Sequence, residues 1–287
     1  MTRYMKVLAF VVALMMLSLI AIACGGSGNQ SGNDSQSGSQ SGNQSGNDSQ
    51  SDSAGLETIE SGVLVMATSA DFPPYEFWEG SEIVGIDAEI AAAIAKGLGL
   101  ELRIDDMDFD SILAAVVAGR ADIGMAGMTV TDERLESVYF SVSYATGVQV
   151  IIVRDDSPIT SVDDLFEEGA NFNIGVQTST TGDLYSTWDL EDEGLATVHR
   201  YRRGTDAVQS LIAGRVDCVI IDNEPAKAFV AANQGLKILE TEFAVEDYAI
   251  AIRRGNTALK EAIDEVLLGL IADGTVQRIV DKYITAD

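Results

Sequence analysis

Arg134 lies where a bound carboxylate would remove an electrostatic conflict. It ends the segment Thr131-Asp132-Glu133-Arg134, and because Thr131 is a typical N-cap residue, the sequence predicts this guanidinium in the first turn of a helix. The helix macrodipole disfavours a cation there, and a guanidinium binds a carboxylate through two parallel hydrogen bonds. The spacing alone slightly favours the alternative, a salt bridge to Asp132, Glu133 or Glu136.

A second charged residue, Asp222, ends the apolar segment 216–221. A carboxylate at the end of a buried strand is costly unless it is paired. It could bind an ammonium group, or it could cap the helix that begins near Glu224. The polar segment 177–182 offers hydroxyls and free backbone N–H groups that suit an anionic or polar ligand, and it is equally typical of an ordinary capping loop.

Aromatic residues follow the first predicted strand, where a Pro-Pro pair ends the strand and stiffens the turn. Phe72 or Tyr75 could cover a ligand, and core packing is the alternative, which is favoured for Tyr75 and Phe77. Phe109, near the start of a predicted helix, has the same two interpretations. Only the packing of the elements decides between them.

Short apolar segments alternate with amphipathic ones from residue 56 onward, a pattern typical of parallel strands joined by crossover helices. The pattern predicts strands at 63–68, 100–104, 121–125, 148–153, 173–177, 216–222 and 248–253. It predicts helices along Ile86, Ile90, Ile94 and Leu98 and at 109–117, 182–190, 205–213, 224–233, 257–272 and 275–284.

Two lobes of similar topology are predicted because one local pattern occurs twice. Residues 118–122 (AGRAD) match residues 213–217 (AGRVD), and each segment leads from an amphipathic helix into an apolar strand. Either copy alone is also explained as an ordinary connection from a helix to a strand, in which a glycine ends the helix. Ligands of open α/β sheets bind beyond the carboxyl ends of the strands, here near Gly127 and Asp222. We therefore expect an α/β fold of two lobes, each a mostly parallel sheet flanked by helices, with a ligand cleft between them.

The composition excludes several classes of function. The 287 residues include 18 Lys and Arg against 45 Asp and Glu, a formal net charge of −27, so the chain repels nucleic acid. The one histidine, His199, and the two cysteines exclude a multi-histidine or cysteine-built metal site, and a Ser-His-Asp triad would depend on His199 alone. We expect no cofactor, no metal ion, no nucleic-acid partner and no enzymatic activity.

The N-terminal residues predict export. Arg3 and Lys6 precede the apolar segment 7–23, and Cys24 follows small residues. This arrangement resembles the lipobox of exported lipoproteins, in which the cysteine becomes the lipidated first residue, although Ala21 stands where a leucine is usual. An uncleaved anchor helix is the alternative, because the segment is just long enough to span a bilayer. Both interpretations place the body outside the cytoplasm.

The segment after Cys24 predicts a flexible linker. Residues 25–55 are almost wholly Gly, Ser, Asn, Gln and Asp, and residues 31–37 recur unchanged at 45–51. A segment of this composition cannot form a core, so it would tether the body loosely to its anchor.

Seven motifs occur in an order that is specific to one known family. They are residues 72–77 (FPPYEF), 85–87 (GID), 108–110 (DFD), 127–134 (GMTVTDER), 176–182 (VQTSTTG), 219–222 (VIID) and 273–275 (DGT). With these motifs, residues 61 to about 285 resemble the extracellular solute-binding proteins of the polar amino-acid class, family 3, which are the receptors of ATP-driven importers. The resemblance implies the two-lobed periplasmic-binding-protein fold of type II.

The same resemblance assigns the two ends of an amino acid to matching positions. Arg134 would clamp the α-carboxylate with help from Thr129. Backbone N–H groups of Gly127, Thr129 and Thr181 would assist. Asp222 would hold the α-ammonium group.

The ligand's side chain would lie between Phe72 and Phe109. Ser69 and Gln177 lie where members of the family distinguish side-chain chemistry. Several binders of basic or amide ligands have an acidic residue where this chain has Ser69, which favours a neutral polar or apolar amino acid. Ser179 is a second departure, because glycine is frequent there. The expected ligand-binding residues are Ser69, Phe72, Phe109, Gly127, Thr129, Arg134, Gln177, Thr180, Thr181 and Asp222.

The resemblance also implies a domain organisation. We expect a signal peptide at 1–23, a lipidated cysteine and linker at 24–55, one lobe from 56–147 plus 249–287, and the other from 148–248. The strands near residues 145–150 and 247–250 would carry the hinge. The expected partners are a free amino acid, the transmembrane subunits of an ABC permease with their ATPase, and the membrane through the N-terminal lipid. The protein would act as a monomer on the outer face of the membrane, in the periplasm or at the cell surface.

Two other functions remain open at this point. Members of the same scaffold include dehydratases that act on prephenate-like amino acids, and Glu76 or Asp71 are the available acids or bases, but the sequence shows no spaced catalytic pair. A ligand-binding sensor ectodomain would need a separate signalling partner.

Overall fold

The structure, a computed structural model, describes residues 56–240 and 242–284. The expected signal peptide, lipidated Cys24 and linker all fall within residues 1–55, outside the described residues. Within the described ranges, no helix is both long and apolar enough to cross a membrane.

Short strands alternate with helices, as the sequence predicts. The strands are β1 (Val63–Thr68), β2 (Asp71–Phe72), β3 (Glu76–Glu79), β4 (Glu82–Val84), β5 (Glu101–Asp106), β6 (Ile123–Gly124), β7 (Val138–Phe140), β8 (Ala145–Arg154), β9 (Phe172–Gln177), β10 (Ala196–Tyr201), β11 (Cys218–Asp222), β12 (Leu236–Ile238), β13 (Ala244–Tyr248) and β14 (Ala251–Arg253). The α-helices are α1 (Ile86–Gly97), α2 (Phe109–Val117), α3 (Asp132–Ser137), α4 (Thr181–Ser186), α5 (Gly204–Ile212), α6 (Asn223–Ala232), α7 (Thr257–Ala272) and α8 (Thr275–Tyr283). A 3₁₀-helix (Val162–Phe166) and a π-helical turn (Thr187–Glu191) complete the regular structure of the described residues.

Two mixed sheets form the centres of the two expected lobes. The first lobe has the strand order β5-β1-β6-β14-β7, and the second has β10-β9-β11-β8-β12 with β13 paired to β8. Three strands in each sheet are parallel, β5-β1-β6 and β10-β9-β11, and the remaining pairings are antiparallel. Each antiparallel pairing includes β8, with which the chain enters the second sheet, or β14, with which it returns to the first.

The chain passes between the lobes through two adjacent connections. Residues 141–144 lead from β7 to β8, and residues 249–250 lead from β13 to β14. The two connections are hydrogen-bonded to each other, with Tyr144 N donating to Tyr248 O and Ser141 N donating to Ile250 O, both at 3.0 Å. The sequence predicts one continuous strand over 248–253, whereas the structure divides that segment between two sheets.

Helix α1 packs on the first sheet along the apolar stripe that its sequence predicts. Ile86, Ile90 and Ile94 are fully buried and share a core cluster with Leu64 and Met66 of β1. Burial of one such side chain contributes about 1.5–3 kcal/mol relative to exposure. This packing fixes β1 and therefore the loop that follows its carboxyl end.

The two repeated segments, 118–122 and 213–217, form the same structure in the two lobes. The glycine of each ends a helix with a left-handed φ, 67° in one and 68° in the other. The aspartate of each then binds the neighbouring strand, since Asp122 Oδ2 accepts a hydrogen bond from Val65 N at 2.9 Å and Asp217 Oδ2 accepts one from Asn173 N at 2.7 Å. In each lobe, the repeated segment therefore connects a helix to a strand, and its aspartate sets the register against the neighbouring strand.

Replacing Asp122 by alanine is expected to lower the free energy of unfolding by about 2–3 kcal/mol, because it leaves the N–H groups of Ile59 and Val65 without their acceptor. Urea denaturation followed by circular dichroism measures the change. Asp155→Ala, at an exposed position, is the matched control and should leave the transition within about 0.5 kcal/mol. Equal stabilities of the two variants would contradict the role given to Asp122.

Candidate functional site

A cavity lies between the two lobes at the carboxyl ends of their parallel strands. The structure brings all ten residues expected from the sequence to its wall. The lining residues are Ser69, Phe72, Glu76, Phe109, Ala126, Gly127, Thr129, Arg134, Gln177, Thr180, Thr181 and Asp222. Glu76 and Ala126 were not among the expected ligand-binding residues.

Arg134 presents a buried cation whose hydrogen bonds go to neutral groups. Thr131 caps helix α3 and accepts from Arg134 N at 3.2 Å, as its sequence predicts. The guanidinium is 6% exposed and donates from Nη1 to Thr129 O at 2.8 Å and from Nη2 to Ser179 O, in the second lobe, at 2.9 Å. No salt bridge to Arg134 occurs within the described ranges, so the alternative pairing with nearby acids is wrong. Burial lowers the pKa of Arg134, and the charges of Glu246 and Asp222 oppose that effect.

Asp222 presents a buried carboxyl group on the opposite side of the cavity. It ends β11 and stands at the N-cap position of α6, but its side chain makes no capping hydrogen bond. Instead its Oδ1 accepts a hydrogen bond from the Tyr248 hydroxyl. Burial raises the pKa of Asp222 to about 7, the charge of Glu246 adds to the rise, and hydrogen bonds from Tyr248 and Gln149 oppose it. A cation entering the cavity would favour the ionised form.

Two aromatic rings border the cavity. Phe109, the first residue of α2, lies with its ring 5.4 Å from the Arg134 guanidinium carbon. Phe72 contacts Tyr75 at a ring-centroid distance of 5.8 Å, and Tyr75 in turn meets Tyr248 edge-on at 5.2 Å. Tyr75 is therefore a core residue that supports the cavity wall, as its sequence context favours.

Gly127 allows the backbone to approach Phe72 closely. Its φ is 52°, and a Cβ atom there would lie 2.7 Å from Phe72 Cε1. Its N–H, which the family resemblance assigns to the ligand carboxylate, donates to Asp87 Oδ2 at 3.0 Å instead. That expectation is wrong for this structure because the buried Asp87 needs a donor and Gly127 supplies it.

The loop before α4 forms the second lobe's side of the cavity. Thr180 caps the helix, accepting from Asp183 N at 3.3 Å and donating from its hydroxyl to Gln177 O at 2.8 Å. Ser179 has a φ of 64°, in the left-handed region that favours glycine, which explains why glycine is frequent there in the family. Gln177 donates to Arg202 O at 3.2 Å, and the loop is thus held by its own hydrogen bonds.

Glu76 and Asp87 form a buried pair of carboxyl groups beside the cavity, and both are fully buried. Asp87 Oδ2 accepts hydrogen bonds from Gly127 N at 3.0 Å and from the Tyr144 hydroxyl at 2.9 Å. Burial and the neighbouring charge of Asp87 raise the pKa of Glu76 well above its ordinary value. Burial raises the pKa of Asp87 to about 6, while the hydrogen bonds from Gly127 and Tyr144 oppose the rise. Glu76 therefore lines the cavity as a buried carboxyl group whose charged form is disfavoured by its surroundings.

Asp87 was part of a recognised motif, but nothing in the sequence indicated this pairing. Glu246 was missed entirely. It lies on β13 between exposed neighbours and accepts hydrogen bonds behind the cavity wall. A single acid in a short alternating strand gives no spacing signal, so only the tertiary structure identifies it.

Two arginines of the second lobe form ion pairs with acids of the first lobe. Arg202 pairs with Asp108, and Arg203 lies 3.6 Å from Asp106, so each arginine of the second lobe meets an acid of the first. Arg200 pairs within its own lobe, with Asp183 and Glu191. The part of the chain that the structure describes contains no cluster of three or more side chains able to hold a metal ion.

Comparison with known proteins gives a consistent result. The family model of bacterial extracellular solute-binding proteins, family 3, matches residues 64–286. The arginine-binding extracellular protein ArtP of Bacillus subtilis (strain 168) is 33% identical over 227 residues, which cover 78% of this chain and 87% of that protein.

Solved structures are similar over the same region. An ancestral arginine-binding protein bound to arginine has a TM-score of 0.73 and 37% identity, covering 78% of this chain and 98% of its own. The ancestral amino acid-binding protein AncCDT-1, a precursor of cyclohexadienyl dehydratase, has a TM-score of 0.70 and 29% identity, covering 77% and 95%.

Proposed function

Because the chain belongs to the bacterial extracellular solute-binding proteins of family 3, we propose that it binds a free α-amino acid in the cavity between its lobes. The supporting observation is the pair Arg134 and Asp222, one charged group from each lobe, both buried at the same cavity. An α-amino acid carries one carboxylate and one ammonium group, so a single ligand satisfies both. Its carboxylate would meet Arg134 and its ammonium group would meet Asp222.

Ligand binding then drives closure. An unpaired buried charge costs about 3–5 kcal/mol when its partner is removed, so closing an empty cleft is unfavourable. A ligand that supplies both counter-charges removes that penalty and shifts the population towards the closed form. The motion is the hinge closure of periplasmic binding proteins. We place its hinge at residues 141–144 and 249–250, where the chain passes from one sheet to the other, because residues 145–150 of the expected hinge belong to β8 of the second sheet. The expected lobes are 56–147 plus 249–287 and 148–248.

The ligand's side chain is proposed to be cationic, with arginine as the first candidate. Burial lowers the pKa of Arg134, and the charges of two buried acids, Asp222 and Glu246, oppose that effect. Two acids therefore face one arginine, and a ligand with no net charge leaves an excess of negative charge at the site. A cationic side chain balances it, and the arginine-binding relatives support the same choice. Ser69 argues for a neutral side chain instead, because this position carries no acid to pair with a cation.

A thermal-shift screen of the purified protein against the twenty amino acids tests the proposal. Ligand at 1,000 times its Kd stabilises the folded form by about 4 kcal/mol, which corresponds to a rise of several degrees in Tm. We expect arginine to give the largest rise and most others none. A response to neutral amino acids alone would support the interpretation of Ser69, and no response across the panel would contradict amino-acid binding.

We further propose that the protein is tethered outside the cell membrane by a lipid on Cys24 and delivers its ligand to an ABC permease with an attached ATPase. Family membership and the export motif support this placement. Labelling of cells with a fatty-acid analogue should mark the protein, and Cys24→Ser should abolish the label. Adjacent genes for a permease and an ATPase would support delivery.

A dehydratase is the second candidate function, favoured by the similarity to AncCDT-1 and by the buried carboxyl group of Glu76 in the cavity wall. Such an enzyme would need Glu76 to give a proton to a leaving group. Turnover of a prephenate-like amino acid by the purified protein distinguishes it from a receptor, which would bind without product.

Gly127→Ala is expected to weaken ligand binding by about tenfold or more. The new Cβ would lie 2.7 Å from the Phe72 ring and would occupy a left-handed φ, so either the ring or the backbone must move. Isothermal titration calorimetry measures the change. Gly62→Ala is the control, because its φ of 80° imposes the same strain in open space away from the cavity. Equal Kd values for the two variants would contradict the role of Gly127 in shaping the wall.

A further inference from the structure

Glu246 collects three hydrogen bonds on one carboxylate oxygen. Its Oε2 accepts from Thr129 Oγ1 at 3.0 Å, from Gln149 Nε2 at 3.1 Å and from Thr181 Oγ1 at 2.8 Å. The side chain is buried, with the residue 5% exposed. A carboxylate that is bound in this way fixes the orientation of each donor, because charge-assisted hydrogen bonds are shorter and stronger than neutral ones.

The three donors come from three different parts of the fold. Thr129 lies in the loop after β6 of the first lobe, and Thr181 is the first residue of α4 in the second. Gln149 lies on β8, next to the passage between the lobes. Thr129 and Thr181 line the cavity from opposite lobes, so Glu246 joins the two halves of the site from behind.

We propose that Glu246 is a positioning residue for ligand binding, which holds Thr129 and Thr181 together in the closed site. The proposal rests on the proposed amino-acid-binding function. Both hydroxyl hydrogens point to Glu246, so a ligand carboxylate is held by Arg134 and by backbone N–H groups rather than by these hydroxyls. The backbone N–H groups of the two lobes therefore reach the ligand carboxylate only when Glu246 keeps Thr129 and Thr181 in place.

Two variants of Glu246 separate its charge from its shape. Glu246→Gln keeps one oxygen acceptor but loses the charge, and we expect about a tenfold weaker Kd for the amino acid that the thermal-shift screen identifies. Glu246→Leu removes the acceptor, and we expect about a 100-fold weaker Kd. Glu242→Gln is the matched control, since it makes the same change at an exposed acid just before β13 and should bind as the wild type does.

Dissociation kinetics distinguish positioning from a general loss of stability. A site whose donors are loosened releases its ligand faster, so stopped-flow fluorescence should show the change in koff with kon nearly constant. A general loss of stability would lower the active fraction and leave koff unchanged. Unchanged koff and Kd in Glu246→Gln would overturn the proposal.

A double-mutant cycle tests the route through Thr181. Thr181→Val keeps the shape and the backbone N–H but removes the hydroxyl, so it should weaken binding in the wild type and have little further effect in Glu246→Gln. Additive effects would overturn the proposal even if Glu246→Leu fails to fold. Failure of the wild-type protein to bind any amino acid would instead contradict the proposed function, which keeps the two outcomes distinct.

Discussion

Arg134→Ala is expected to abolish amino-acid binding, with Kd weakened by at least about 100-fold. The side chain is the buried cation of the first lobe, and truncating one member of a buried charged contact costs about 2–5 kcal/mol. The ligand carboxylate would then be buried beside Asp222 and Glu246 without a counter-charge. Isothermal titration calorimetry with the ligand found by the thermal-shift screen measures the loss.

Two further variants make the result for Arg134 specific. Arg134→Lys keeps the charge but cannot hold a carboxylate with two parallel bonds while also reaching Thr129 and Ser179, so its Kd should fall between those of the wild type and Arg134→Ala. Arg120→Ala, at an exposed position of the same lobe, should bind normally. Retained affinity in Arg134→Ala would remove this guanidinium from the site.

Affinity is expected to fall as the pH falls below 7, by up to about tenfold per pH unit. Burial raises the pKa of Asp222 to about 7, and a bound ammonium group lowers it by favouring the carboxylate, so binding must release the proton that Asp222 carries in acid. Asp222→Asn should bind at least about 100-fold more weakly at pH 8 and should lose most of this pH dependence. Calorimetry from pH 5 to pH 8 gives both quantities.

The stability of the unliganded protein should have the opposite pH dependence. A raised folded pKa means that the native state binds more protons than the unfolded state between about pH 4 and pH 7, so the contribution of Asp222 to the unfolding free energy falls as the pH rises through that window. Asp87 titrates in the same range, so the difference between wild type and Asp222→Asn isolates Asp222. Asp206→Asn, at an exposed position, is the control.

For the binding measurement, a Kd independent of pH would contradict an ionised Asp222 in the complex.

Most helices, and every strand of the two parallel cores except β10, could be predicted because their signals are local. The stripe of isoleucines in α1 and the AGRAD and AGRVD segments depend only on residues a few positions apart. The hairpin strands β2, β3 and β4 carry no apolar alternation of this kind and were not predicted. The division of 248–253 between β13 and β14 was missed for a related reason, since residues 249–252 are uniformly apolar and only the distant partners of the two strands separate them.

The sequence by itself determined the chemical types at the site: a guanidinium after an N-cap, a carboxylate at a strand end, and hydroxyls in a capping loop. These follow from local preferences that hold in any surroundings. Only the tertiary structure decided the partners of these groups. Arg134 donates to the carbonyl of Ser179 rather than to a neighbouring acid, and Gly127 N donates to Asp87. Glu246 accepts hydrogen bonds from both Thr129 and Thr181. Each of these contacts joins residues far apart in the chain. A polar group that is buried on folding must find a hydrogen-bond partner, and the folded chain decides which partner is near. No local sequence pattern encodes that choice.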